Sequence, residues 1–171
     1  AFISHPNKRI RLEAANSLSR FRNPWVAEYL LASLKHKDSA IRSTALYALG
    51  KLKSPVTVPS LILLLKDKDT AIRSQGLYVL SNFRDERVIK PLLSELQVAD
   101  ADFRLEVISA LGNIRDYRII EALIELLKDK NKNVRRASAD SLAQIADASL
   151  GMEYAQWKRW WTNKLQRSRR Q

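Results

Sequence analysis

The sequence predicts an all-α fold made from one two-helix unit used about five times, and three observations carry that prediction. Five arginines, Arg11, Arg42, Arg73, Arg104 and Arg135, stand 31 residues apart without slippage. Each is followed at seven residues by a leucine (Leu18, Leu49, Leu80, Leu111, Leu142) and at ten by a large apolar residue (Phe21, Leu52, Phe83, Ile114, Ile145). Four residues before each arginine stands Asn7, Asp38, Asp69, Asp100 or Asn131. A short, unbroken period of this kind marks an array whose units bury their apolar faces on their neighbours rather than around one centre.

Taken in order, residues 1–6 come first and fit the end of a unit. Ala1-Phe2-Ile3-Ser4-His5 aligns with Ala32-Ser33-Leu34-Lys35-His36, so 1–6 read as the close of a preceding repeat and the chain as the C-terminal part of a longer protein or a processed product. Repeats then occupy 7–146. In each, the Asn or Asp column supplies an oxygen that can cap exposed N–H groups, and apolar residues 3, 4, 7 and 10 positions after the arginine form the stripe of a first helix, A. A second helix, B, follows with its stripe at 19, 20 and 23: Leu30, Leu31 and Leu34; Leu61, Ile62 and Leu65; Leu92, Leu93 and Leu96; Leu123, Ile124 and Leu127. Asn23-Pro24 and Ser54-Pro55 suit a cap followed by proline, while Pro59 and Pro91 allow the start of B to slip by about two residues. After Ala146 the period breaks, and 147–166 reads as a capping helix with Tyr154, Trp157, Trp161 and Leu165 on one stripe; Trp160, off that stripe, is the candidate for an aromatic ligand platform. Residues 167–171 form a basic tail without an apolar anchor, expected to be mobile after about Gln166.

Composition narrows the function classes. No run of 18 apolar residues exists, so this chain has no transmembrane segment. The absence of cysteine excludes disulfides and Cys-based zinc sites and leaves the compartment open, with the cytoplasm the marginal preference. The net charge of +12 raises the question of a polyanion partner, yet half of that excess lies from Lys158 onward, where six basic residues meet no acid.

The pattern Asp38, Ile41-Arg42, Ala45, Ala48-Leu49-Gly50 and Leu52, with the Leu-Leu-Lys-Asp endings at Asp67 and Asp129, resembles the short HEAT-like repeat, the type also found in phycobilin lyases. Longer HEAT repeats run to about 40–47 residues, so a 31-residue period points to the compact subtype. The resemblance implies a right-handed α-solenoid of about five HEAT-like repeats, with the B helices lining its concave side. It also implies an Asp–Arg ladder, and by analogy alone a bilin lyase subunit or chromophore-handling chaperone. The iron-binding His-Glu motifs of HEAT-like deoxyhypusine hydroxylases are missing, and with only His5 and His36 available no catalytic, metal or cofactor site can be assembled.

Three residue sets follow. Arg11, Arg42, Arg73, Arg104 and Arg135 share the apolar stripe and sit where the helix dipole disfavours a cation, so they need partners, and Asp38, Asp69 and Asp100 are the expected ones. The exposed positions of helix B carry Glu28, Tyr29, Ala32, Leu63, Leu64, Lys90, Ser94, Glu121 and Glu125, a balance of acids, small residues and apolar anchors that suits a protein partner and opposes a phosphate backbone. Arg20, Arg22, Lys51, Lys53, Arg84 and Arg115 gather at the A-to-B turns and, with Arg167, Arg169 and Arg170, form the candidate polyanion surface. The expected function is therefore a non-enzymatic protein-interaction scaffold, with association with nucleic acid as the second reading.

Overall fold

The computed structural model describes residues 2–21, 23–83, 85–97 and 101–168, the side chain of Ser168 apart. Those residues form ten α-helices and no strand. Helices A are α1 (Lys8–Arg20), α3 (Ser39–Leu52), α5 (Thr70–Ser81), α7 (Ala101–Ile114) and α9 (Lys132–Ala146). Helices B are α2 (Pro24–Ser33), α4 (Val58–Leu63), α6 (Ile89–Glu95) and α8 (Ile120–Leu126), and α10 (Tyr154–Ser168) ends the series. The chain divides into two compact units, Ala1–Val88 and Ile89–Gln171.

The cap column behaves as its chemistry requires. Backbone N–H groups of Arg9, Ala40, Ala71 and Asn133 donate to the side-chain oxygens of Asn7, Asp38, Asp69 and Asn131, at 2.8, 2.8, 3.0 and 2.9 Å. Each bond satisfies a donor at a helix start that has no intrahelical acceptor. At the other end, Lys53, Arg115 and Asp147 adopt the left-handed conformation, with φ of 48°, 56° and 51°, where Gly or Asn is the usual choice.

In the first unit α1 packs on α3 and α3 on α5, with α2 and α4 filling the second layer against α3 and α5. The core holds Ala15, Leu30, Ala45, Leu46, Leu49, Leu61, Leu77 and Leu80, each at most 2% exposed. In the second unit α7 packs on α9, α6 on α7, and α8 against both α9 and α10. Its core holds Leu92, Ile108, Leu111, Leu123, Val134, Leu142 and Trp157.

Helix B departs from expectation at both ends. In repeats two, three and four a 3₁₀ turn (Pro55–Thr57, Glu86–Val88, Tyr117–Ile119) precedes it, so in the second repeat the α-helix begins three residues after the Pro55 that was expected to open it. Proline is not the common cause, since the fourth repeat has none there. The shared feature is a buried pair at the junction: Thr57 and Val58, Val88 and Ile89, Ile119 and Ile120. In the second repeat α4 also tightens into a 3₁₀ turn over Leu64–Lys66.

Candidate protein-binding face

Four of the five ladder arginines bind the turn that precedes their own helix. Arg11 Nη1 donates to the carbonyls of His5 (2.9 Å) and Pro6 (2.8 Å), Arg42 Nη1 to those of His36 (2.9 Å) and Lys37 (3.1 Å), and Arg135 Nη1 to those of Asp129 (2.8 Å) and Lys130 (3.1 Å). Arg73 Nη1 reaches the Asp67 carbonyl at 2.9 Å. The guanidinium thus supplies donors to carbonyls left over where helix B ends, within one rigid fork.

Their carboxylate partners differ from those expected. Arg42 pairs with Asp67 at 2.8 Å and Arg104 with Asp129 at 2.9 Å, each acid lying 25 residues beyond its arginine and about one-tenth exposed. Asp38 and Asp69 are instead occupied as N-caps, which turns their oxygens onto backbone N–H groups. Asp69 also bonds the Ser39 side chain, the main cause of its lowered carboxyl pKa, and Arg42 lowers it further by charge alone. Asp100 lies outside the described residues. Asp67 and Asp129 also accept from the N–H groups of Asp69 (2.9 Å) and Asn131 (2.7 Å), and in the first repeats His5 and His36 fill this place with Nδ1, accepting from Asn7 and Asp38. The Leu-Leu-Lys-Asp endings were the signal that marks this column.

The exposed face of helix B is narrower than the wheel implied. Glu28, Ala32, Leu63, Lys90, Ser94, Glu121 and Glu125 are exposed, and Tyr29 is half-buried, which pushes its hydroxyl pKa up. Leu64, expected as an anchor, is 7% exposed and lies against Gly76, where a Cβ would stand 3.4 Å away. Glu95, its counterpart one repeat on, is buried as well. In the first unit the face adjoins an open cleft of about 500 Å³. Ala27, Leu31, Leu52 and the exposed Val56 make its apolar lining, and Glu28 and Lys53, assigned above to different surfaces, both line it.

In the second unit the acids are already engaged. Lys158 Nζ lies 3.3 Å from Glu121 and 3.9 Å from Glu125, and the Tyr154 hydroxyl donates to Glu125 at 2.9 Å. That hydrogen bond, then Lys128, holds the Glu125 carboxyl below its ordinary pKa. Helix α10 thus covers part of the face by itself. Trp157 is fully buried and donates from Nε1 to the Gly151 carbonyl at 2.8 Å; Trp161 stacks on Tyr117 and Trp160, so Trp160 belongs to the aromatic cluster. Leu165, expected on the covered stripe, is 40% exposed. Arg167 falls in the last turn of α10, while Arg169 and Arg170 lie outside the described residues.

Basic residues at the A-to-B turns are partly engaged within the chain. Arg87 pairs with Asp85, Arg118 with Asp116, and Lys51 Nζ donates to Asn16 at 2.8 Å. The two aspartates have lowered pKa values, chiefly from those arginine hydrogen bonds. Arg20, Lys53 and Arg115 are exposed, and Arg22 and Arg84 lie outside the described residues. Among the described residues no helix is long and apolar enough to cross a membrane.

Comparison with known proteins agrees with this architecture. A family model for HEAT repeats matches residues 1–81 and 89–150. No curated protein matches the chain in sequence. Among solved structures, the chain is similar to the complex of CpcE and CpcF of phycocyanin lyase from Nostoc sp. PCC7120, with 22% identity and a TM-score of 0.64 over 86% of this chain. It spans 63% of the length of that protein. Two engineered proteins are also similar: one at 22% identity and a TM-score of 0.55, covering 85% of this chain and 76% of its own, the other at 21% and 0.52, covering 97% and 87%.

Proposed function

Since the chain belongs to the HEAT-repeat family, we propose that it is a non-catalytic scaffold whose protein partner seats on the B-helix side of the first unit. The observation that carries this reading is Leu63, 73% exposed on α4 at the register position that Ala32 holds in α2, one repeat from Tyr29. A large apolar side chain held out on a helix face, one repeat from an aromatic one, is a surface that a protein partner can cover. Helices α2 and α4 carry Glu28 and no Lys or Arg, which favours a protein over a phosphate backbone. The likeness to a lyase complex is one of fold, and its association of two named proteins shows only that such folds assemble with protein partners.

The test is a pair of variants. Leu63→Glu with Tyr29→Ala is expected to abolish capture of the partner, identified by mass spectrometry and reconstituted in purified form, while leaving the circular dichroism unchanged. Charge reversal at Arg20 and Lys51 is expected to leave that capture intact. Submicromolar, salt-steep binding to nucleic acid, lost on charge reversal and indifferent to the helix-B changes, would sink the proposal.

A further inference from the structure

The helix-A side of the first unit gathers two cations and two aromatic rings at one junction. Between α3 and α5 lies a cleft of about 330 Å³, and its lining includes Tyr47, Lys51, Lys53, Gln75, Tyr78 and Asn82. Among the described residues no carboxylate lines it. Helix α3 packs between α1 and α5, so the cleft lies within the stack and not at its end. Several of its polar groups are held in place. Gln75 accepts from the Ser43 hydroxyl at 2.7 Å and donates to the Ser43 carbonyl at 3.1 Å. Lys51 Nζ donates to Asn16 at 2.8 Å and lies 4.9 Å from the centre of the Tyr47 ring, whose hydroxyl donates to the same Asn16 oxygen at 3.0 Å. Tyr78 is 71% exposed, and Lys53, also exposed, caps α3 in the left-handed conformation.

The matching junction of the second unit lacks most of this chemistry. On the 31-residue register the α7–α9 pair has Ser109 for Tyr47, Asn113 for Lys51, Ala137 for Gln75 and Asp140 for Tyr78, and only the Lys53 position keeps its charge, as Arg115. Helices α7 and α9 pack on each other all the same, so the fold requires neither the two rings nor the Lys51 ammonium. A helix end favours a cation, yet Asn82, Asn113 and Gln144 hold the Lys51 position in later repeats. We propose that the α3–α5 cleft binds an acidic peptide segment of a partner, with Lys51 and Lys53 pairing its carboxylates and Tyr78 covering an adjacent aromatic or apolar side chain. Charge complementarity identifies the occupant. Lys51 spends one of its three N–H donors on a neutral acceptor, so its charge is uncompensated and further donors remain. An exposed ring on a helix offers apolar contact at little cost in side-chain freedom. Nucleic acid is the poorer match, because its affinity grows with the number of phosphates neutralised and the Lys51 column turns neutral at Asn82. This surface belongs to the A helices and is separate from the helix-B face proposed above.

The probe is a short fluorescein-labelled peptide of Asp and Glu around one central Phe, followed by anisotropy with the full chain at physiological salt. A chain of net charge +12 attracts any polyanion, so variants are compared at equal charge. Lys51→Gln with Lys53→Gln is expected to weaken binding by about tenfold or more. Lys66→Gln with Lys132→Gln removes the same charge outside the cleft and is expected to weaken it by less than about threefold. Tyr78→Ala is expected to cost about three- to tenfold with the circular dichroism unchanged, and exchanging the peptide Phe for Ser to cost as much in the parent chain and nothing further in Tyr78→Ala. No measurable binding, equal weakening by the two lysine pairs, or no effect of Tyr78→Ala would each overturn the proposal. So would an oligothymidylate of the same charge that binds more tightly and shares the sensitivity to Lys51→Gln with Lys53→Gln. The outcome is separable from the reading above, because none of these residues lies on α2 or α4.

Discussion

Removing the Asp67 carboxylate discriminates between the two acids that flank the turn ahead of α5. Asp67→Ala deletes the acceptor of Arg42 Nη2 at 2.8 Å and of the Asp69 N–H at 2.9 Å, beside an arginine side chain that is 5% exposed. Stripping one partner from a buried pair leaves an uncompensated charge, at about 3–5 kcal/mol. Arg42 keeps the carbonyls of His36 and Lys37, which places the cost at the lower end, about 3 kcal/mol. Asp38→Ala removes only a helix cap, the bond from Ala40, for about 1 kcal/mol. For a chain of this size those costs correspond to losses of about 6–12 °C and about 2–4 °C in the melting midpoint. Urea unfolding followed by far-UV circular dichroism separates them readily. Equal losses for the two variants, or a larger one for Asp38→Ala, would refute the assignment of Asp67 as the ladder partner.

Three further outcomes are expected. Ser138 Oγ is buried without a hydrogen-bond partner among the described residues, so Ser138→Ala should raise the urea midpoint of the second unit by roughly 1 kcal/mol in stability. Gly112→Ala drives a Cβ into Ser141 Oγ and should destabilise by about 1–3 kcal/mol, with part of that loss returned by adding Ser141→Ala, as measured in a double-mutant cycle. Asp69, Asp85, Asp116 and Glu125 have folded pKa values below their usual range. Their contribution is complete above the unfolded values of about 3.9 for Asp and 4.3 for Glu and is lost as pH falls through the folded ones, so denaturant midpoints should drop below about pH 4.

The fold was legible because a period survives any uncertainty about individual residues. Every stripe position of helix B from Leu30 to Leu127 is buried or half-buried, and four capping residues sit where the column placed them. The ladder was legible in its arginines and not in its acids. Asp67 and Asp69 stand two residues apart, both can accept, and only the direction of the turn decides which faces Arg42. Leu64 was misplaced for a different reason: the helical wheel exposes its position, yet the side chain lies against Gly76 of α5. The pairing of Lys158 with Glu121 and Glu125 spans a break in the period, so no register could align those residues.

A stripe reports which side chains are built to face a neighbour and says nothing about whether that neighbour is there. Ile10 and Ile41 are the same residue at the same register position, in helices capped from the same column and carrying the same arginine, and only one of them is covered. The difference resides wholly in the stacking partner, which a repeat sequence specifies relationally, one unit at a time. That is also why the binding assignments are harder to read than the architecture. Leu63 and Leu64 are adjacent, equally apolar and both near the end of a short helix, yet one is 73% exposed and the other 7%. Composition cannot separate an anchor from a core residue at that spacing; the packing of Leu64 against Gly76 of α5 does.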